Sequence, residues 1–110
     1  TAIAIDVKTR RPVLGNFTGG LSGPAVKPVA LYMTYRVAHA VSVPVIGMGG
    51  VLRAEDAIEF LLAGASAVAV GMGTFVNPTA MIDVIDGIER YLVENNMDDV
   101  HQLIGGLITD

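Results

Sequence analysis

Two stretches of the chain, VPVIGMGG at residues 43–50 and SAVAVGMG at residues 66–73, decide the fold. Each is a short apolar run that ends in glycines and leads into a segment with helical spacing. Apolar runs of this length are typical of parallel strands buried on both faces. Strands over 43–47 and 66–70 are therefore predicted, joined through a helix by a parallel crossover. The fold class is α/β.

The glycine turns that end these strands indicate a class of ligand. A strand that ends in glycines and feeds a helix exposes backbone N–H groups, and the start of the helix adds partial positive charge, so such turns bind phosphate groups. Neither Gly47–Gly50 nor Gly71–Thr74 contains Lys or Arg, and converging N–H groups need no cation. The alternative is that the glycines only make tight connections. Because the Gly19–Gly23 loop adds a third glycine-rich segment, we predict one shared phosphate site.

The rest of the chain predicts a hairpin and further helices. Alternating residues over 3–17 predict the hairpin, with a polar turn over 9–12. Helical spacing predicts helices over about 25–40 and 53–63, and Asn77-Pro78 is predicted to cap and start a third. The predicted apolar stripe of that third helix consists of Met81, Ile82, Ile85, Ile88 and Leu92.

Composition limits the classes of function. The chain has 110 residues, of which 52% are hydrophobic, and a net charge of −4 without a basic cluster, which argues against nucleic-acid binding. No apolar run approaches the ~20 residues of a membrane span. With no cysteine and only two distant histidines, no metal site and no catalytic residue is assigned. No signal peptide is evident, so a cytoplasmic location is expected.

The inventory of elements predicts an incomplete barrel. Two parallel strands and three helices cannot cover both faces of a parallel sheet, and a (β/α)8 TIM barrel takes ~250 residues. Residues 1–110 are therefore predicted to be one partial TIM-barrel domain, its C-terminal part, with the last two parallel strands, flanking helices and an N-terminal hairpin. The remainder of the barrel would come from elsewhere, and a homo-oligomer is expected.

Three motifs carry a more specific likeness. GGLSGPAVKP at residues 19–28, PVIGMGG at 44–50 and LAGASAV at 62–68 together resemble the dihydroorotate dehydrogenases, most of all their class 1B catalytic subunits. The similarity spans nearly the whole chain in the family's order and spacing. The Gly-Leu-Ser-Gly-Pro-Ala loop is its specific part, since the other two motifs are shared by many phosphate-binding barrels.

This resemblance implies that the chain holds the phosphate-binding end of a flavin mononucleotide (FMN) site. It places Gly23 near the flavin and assigns the FMN phosphate to backbone N–H groups of Gly49, Gly50, Gly71 and Met72. The family usually has threonine where Met72 stands, which removes a hydroxyl contact. Thr74 is predicted to substitute for it in part.

The resemblance also implies an activity and partners. Such enzymes oxidise dihydroorotate to orotate in pyrimidine biosynthesis, and class 1B enzymes pass electrons through an iron–sulfur/FAD subunit to NAD. The family's active-site cysteine, flavin-contacting lysine and substrate-binding asparagines have no counterpart in the chain, and its Asn-Thr pair would fall just before Thr1. The chain is thus expected to be the C-terminal third of the enzyme, unable to oxidise dihydroorotate alone.

Two other interpretations remain open from the residues. One is a non-redox phosphate-binding barrel, such as a thiazole or pyridoxal synthase, which would share the two turns but not the Gly-Leu-Ser-Gly-Pro loop. The other is a non-catalytic structural module. Lys27, next to the specific loop, is predicted to be a helix-surface lysine rather than an anion ligand.

Overall fold

A computed structural model describes all 110 residues as an α/β arrangement of four short strands and four α-helices. Short 3₁₀ turns precede the first α-helix and follow the last one. None of the helices is both long and apolar enough to cross a bilayer. In chain order the elements are β1 (Ile5–Asp6), β2 (Arg11–Pro12), a 3₁₀ turn (Pro24–Val26), α1 (Lys27–Ala40), β3 (Ile46–Met48), α2 (Ala54–Leu62), β4 (Ala67–Ala69), α3 (Gly73–Val76), α4 (Ala80–Glu94) and a 3₁₀ turn (Val100–Gln102).

The predicted strand–helix–strand unit is confirmed. β3 and β4 pair in parallel, with Gly47 opposite Val68, and α2 connects them. Gly64 follows the end of α2 and has a φ of 112°, a backbone conformation that glycine adopts without a Cβ penalty. Both glycine turns therefore lie at the same, carboxyl, edge of the small sheet.

The core lies between α2, the sheet and α4. Phe60 and Leu103 are the largest fully buried side chains. Gly47 of β3 faces Phe60 so closely that an added Cβ would lie 2.7 Å from the Phe60 ring carbon Cδ1. A small residue at position 47 is what lets the strand rest on the helix, and this contact fixes where β3 delivers the turn that follows it.

The other face of the sheet is open, in contrast to the predicted burial on both faces. Ile46 is 66% exposed and Met48 65% exposed, because no element of the chain covers that side. The apolar run was interpreted correctly as strand, but its second face has no covering layer within these 110 residues. An uncovered face of this kind is where further strands or a partner layer would pack.

The N-terminal hairpin is confirmed, with its return strand earlier than predicted. β1 and β2 are antiparallel, with Ile5 opposite Pro12 and Asp6 opposite Arg11. The predicted polar turn over 9–12 therefore contains the return strand. The Asp6 carboxylate accepts hydrogen bonds from the N–H of Lys8 and the hydroxyl of Thr9, which closes the turn sooner.

The start of the last long helix differs from the prediction. Asn77-Pro78 was predicted to open it, but α4 begins at Ala80 with Thr79 as its N-cap, and the single turn of α3 precedes it. The Asn77 side chain accepts from the Thr79 N–H at 3.1 Å and donates to Asp83 at 2.7 Å, so it organises a turn before the helix.

The packing face of α4 is also rotated from the predicted stripe. Ala80 and Val84 are its buried residues, and Ile88 packs against both core clusters. Three predicted stripe residues are more than half exposed. They are Met81, Ile82 and Ile85. With no further layer beyond α4, only the side that faces α2 is buried.

Candidate functional site

A cavity of about 220 Å³ lies between the two glycine turns and the glycine-rich loop, and we call it the glycine cavity. Its lining comes from three segments, Leu21–Val26, Met48–Leu52 and Ala69–Gly73, and it includes no charged residue. All five predicted site residues line it. They are Gly23, Gly49, Gly50, Gly71 and Met72. The structure thus brings together in one cavity residues that are far apart in sequence.

The first turn depends on glycine for its shape. Gly49 has a φ of 126° and Gly50 a φ of 76°, a region that side-chain-bearing residues rarely adopt. A Cβ added to Gly50 would lie 2.7 Å from the Gly23 carbonyl oxygen and 2.8 Å from the Lys27 Cβ. The turn therefore packs directly against the start of α1, with no space for a side chain between them.

The second turn contacts the loop through Met72. Gly23 is buried and has a φ of 85°. A Cβ at this position would lie 2.7 Å from the terminal carbon of Met72. The absence of a side chain at Gly23 therefore allows the Met72 side chain to reach across, and this contact closes one side of the glycine cavity.

Four of the backbone N–H groups at the glycine cavity make none of the hydrogen bonds of the chain's turns and loops. None of the backbone hydrogen bonds made by turns and loops uses the N–H of Gly49, Gly50, Gly71 or Met72 as its donor. Such N–H groups need a partner from water or a ligand. An anion is the chemical group that several converging N–H donors suit best.

Two other polar groups near these turns differ from the sequence predictions. Ser22 lines the glycine cavity, beside Gly23, which is the N-cap of the 3₁₀ turn. Thr74, predicted to replace a threonine hydroxyl, does not line it, and its hydroxyl donates to the Gly71 carbonyl at 2.8 Å. Ser22 is thus a hydroxyl at the site that sequence reasoning missed, although its place between Leu21 and Gly23 in the loop was the available signal.

Lys27 is not a free surface lysine, because its side chain is engaged by two carboxylates. Its ammonium Nζ lies 2.5 Å from Asp56 Oδ1 and 2.8 Å from Glu59 Oε2, both on α2. The second oxygen of Asp56 accepts the N–H of Leu52 at 2.9 Å and the N–H of Arg53 at 3.0 Å. Asp56 therefore caps the start of α2 and holds α1 to it, which corrects the prediction for Lys27.

The ion pair shifts both groups toward their charged forms. For Lys27, hydrogen bonds to Asp56 and then Glu59 raise the pKa above its ordinary value. For Asp56, burial raises the pKa, but hydrogen bonds from Lys27 and from the Leu52 and Arg53 N–H groups outweigh burial and lower it overall. The pair is thus fully charged throughout the neutral range.

These shifts give a pH-dependent stability. The lowered pKa of Asp56 stabilises the fold at pH values above the ordinary carboxyl pKa of 3.8. This stabilisation is lost as the pH falls through the folded-state pKa. The raised pKa of Lys27 stabilises the fold at pH values below the ordinary lysine pKa of 10.5. This stabilisation is lost as the pH rises through the folded-state pKa. Asp56→Asn is expected to lower the free energy of unfolding by about 1–3 kcal/mol at neutral pH. Urea denaturation should show this difference in unfolding free energy narrowing as the pH falls below 3.8 and through the lowered folded-state pKa of Asp56.

The control for this prediction is Glu55→Gln, which removes an exposed acid from the same helical turn. We expect that change to stay within about 0.5 kcal/mol. A gap between wild type and Asp56→Asn that keeps its neutral-pH size as the pH falls well below 3.8 would contradict the assigned ion pair.

The remaining titratable residues form no second site of this kind. His39 contacts the Tyr35 carbonyl, and His101 contacts Asp99, so each histidine is engaged locally and exposed. No group of three His, Asp or Glu side chains is arranged to hold a metal ion. The glycine cavity is therefore the best-defined candidate site, and its donors are backbone N–H groups.

Comparison with known proteins finds one family. The family model described as Dihydroorotate dehydrogenase matches residues 1–92. The catalytic subunit of dihydroorotate dehydrogenase B (NAD(+)) from Geotalea uraniireducens is 59% identical over 109 residues, which is 99% of this chain and 36% of that protein. The corresponding subunit from Alkaliphilus oremlandii is 57% identical over 96% of this chain and 35% of that protein.

Solved structures show the same relationship. A crystal structure of DHODH from Eimeria tenella in complex with ferulenol superposes with a TM-score of 0.76 and 27% identity, covering 96% of this chain and 29% of that one. The chain therefore spans about a third of the length of the curated relatives it matches.

Proposed function

The chain belongs to the dihydroorotate dehydrogenase family, and we propose that it forms the FMN phosphate-binding end of a class 1B catalytic subunit. The observation that carries the proposal is the glycine cavity, which three separate glycine segments line and in which the two turns hold N–H groups without a partner among the turn and loop hydrogen bonds. The family match argues against the non-redox barrel alternative, because that class lacks the Gly-Leu-Ser-Gly-Pro loop.

The proposal includes a place in a (β/α)8 barrel. β3 and β4 would be its strands seven and eight, where barrels commonly bind phosphate in the loops that follow the strands. The open sheet face, with Ile46 and Met48 exposed, supports this placement because the rest of a barrel would cover it. The relatives are about three times as long as this chain, which leaves length for the other six strands.

The residues of the glycine cavity fit the phosphate end of FMN. Its ~220 Å³ is below the ~300–1,000 Å³ typical of sites for whole drug-sized ligands, so it suits the phosphate and adjoining carbons, with the flavin ring lying beyond. Gly49 and Gly50 let the backbone approach the phosphate without a Cβ between. N–H groups of Gly49, Gly50, Gly71 and Met72 would donate to its oxygens, and Gly23 would lie toward the flavin.

In this proposal the chain positions a cofactor rather than performing chemistry. FMN, when bound, supplies the capacity to accept a hydride from dihydroorotate, which leaves as orotate. The N–H groups of the two turns would fix the phosphate and thereby the register of the flavin against the substrate. The chain has no cysteine to serve as the family's base, so that group would lie in another part of the subunit.

Partners and location remain part of the proposal. The relatives are named catalytic subunits, which indicates that they work with another subunit. For this chain we propose an iron–sulfur/FAD subunit that passes electrons to NAD, a homo-oligomer of the catalytic subunit, and a cytoplasmic location. No residue described above is assigned to those contacts.

The test of the proposed function uses the complete catalytic subunit that carries this segment. We expect the purified protein to contain FMN, and anaerobic addition of dihydroorotate to bleach the visible flavin absorbance. Orotate should form in an amount equal to the flavin reduced, because each substrate delivers one hydride. A flavin spectrum that dihydroorotate leaves unchanged would contradict the assigned activity, and a colourless protein would favour the structural-module alternative.

A further inference from the structure

Asp56 does not line the glycine cavity, but its carboxylate accepts a hydrogen bond from a residue that does. Its Oδ2 accepts the N–H of Leu52, a lining residue, at 2.9 Å, and the N–H of Arg53 at 3.0 Å. Asp56 is only 6% exposed, so water competes little for these bonds. The carboxylate therefore fixes the last part of the first turn, just after Gly49 and Gly50.

The other oxygen of Asp56 fixes the opposite wall. It pairs with Lys27, the first residue of α1, at 2.5 Å across 29 positions of sequence. Lys27 directly follows the segment that contains Gly23, and its backbone nitrogen lies 3.1 Å from where a Gly50 Cβ would be. One carboxylate thus connects the loop on one side of the glycine cavity to the turn on the other.

From this geometry we infer that Asp56 is a positioning residue for phosphate binding, acting through Leu52 and Lys27 and touching no ligand itself. The inference rests on the proposed function, because it takes the glycine cavity as the phosphate site. The N–H groups of Gly49 and Gly50 belong to the turn that packs against the start of α1, so the distance between that turn and α1 decides where these two donors lie. The Asp56 bonds set that distance, and Lys27 neutralises the carboxylate that would otherwise repel a phosphate.

A second acid offers a matched control. Asp83 lies in the first turn of α4 and accepts bonds from Asn77 at 2.7 Å and from the Thr79 hydroxyl at 3.2 Å. Like Asp56, it organises the start of a helix. Unlike Asp56, it is exposed and bonds to no residue that lines the glycine cavity. Asp83→Asn therefore removes a similar capping carboxylate without moving either wall.

The experiment measures the dissociation constants of FMN and of riboflavin for the complete subunit after its flavin has been removed. Riboflavin lacks the phosphate, so the dissociation constant of riboflavin divided by that of FMN reports on the phosphate site alone. A smaller ratio means a weaker contribution of the phosphate to binding. For Asp56→Asn we expect FMN affinity to fall about tenfold or more while riboflavin affinity is unchanged. Lys27→Met should reduce the same ratio, and Asp83→Asn should leave it at the wild-type value.

The outcomes separate the inference from the proposal beneath it. Equal losses of FMN and riboflavin affinity in Asp56→Asn would mean a merely structural role and would overturn the inference. If that variant does not fold, Lys27→Met decides, and an unchanged ratio in it overturns the inference. A wild-type protein that binds riboflavin as tightly as FMN would overturn the proposed phosphate site and, with it, the positioning role.

Discussion

Replacing Gly50 with valine in the complete subunit is expected to abolish FMN retention. Gly50 has a φ of 76°, which a β-branched residue adopts only with strain, of order 1–3 kcal/mol. The new Cβ would also lie 2.7 Å from the Gly23 carbonyl and 2.8 Å from the Lys27 Cβ, both parts of a packed wall. The turn must therefore move, and its N–H groups move with it. A loss of affinity of about a hundredfold or more follows.

Gel filtration with detection of visible flavin absorbance measures this effect. The wild-type protein should carry flavin through the column and Gly50→Val should elute colourless at the same volume. Gly15→Val is the matched control, since Gly15 lies in a turn after β2 with no atom within 4 Å of an added Cβ. Unchanged flavin content in Gly50→Val would contradict the assignment of the first turn to phosphate binding.

The second large effect concerns the support beneath that turn. Phe60 is fully buried in the core cluster with Val51, Ala57, Ala65 and Val84, and it contacts Gly47 on β3. Phe60→Ala would leave a cavity under the strand and is expected to lower the free energy of unfolding by about 3–5 kcal/mol. Denaturant titration of the wild type and of Phe60→Ala measures this difference in unfolding free energy directly.

Phe75→Ala is the control for Phe60→Ala. Phe75 lies on α3 and is 89% exposed, so its loss is expected to change stability by less than about 0.5 kcal/mol. Similar effects of the two substitutions would show that the core does not lie between α2 and β3 as described.

Local signals in the sequence were sufficient for the elements that position the site. Short apolar runs and the glycines that end them predicted β3, β4 and their parallel order, because strand burial and turn geometry depend on neighbouring residues. The helix predicted over 53–63 corresponds to α2, Ala54–Leu62, since Arg53 and Gly64 mark its ends. The five predicted site residues all line one cavity, although their role in cofactor binding stays a prediction.

The rest of the site depends on contacts that no local pattern contains. Lys27 and Asp56 are 29 residues apart, and nothing near either one indicates that they pair. The late start of α4 arises because the Asn77 side chain bonds to Thr79 and Asp83 and so forms a turn of its own. Burial of Ile46 was predicted from its apolar neighbours, whereas burial depends on a covering layer that the 110 residues do not supply.

A crystal structure of the complete subunit with FMN bound tests the central claim most directly. The account predicts the FMN phosphate within the glycine cavity, with its oxygens about 2.7–3.2 Å from N–H groups of Gly49, Gly50, Gly71 and Met72. It also predicts that Lys27 stays paired with Asp56 rather than turning to the phosphate. A phosphate bound elsewhere, for example between Arg53 and Arg90 in the groove of α2 and α4, would contradict the account.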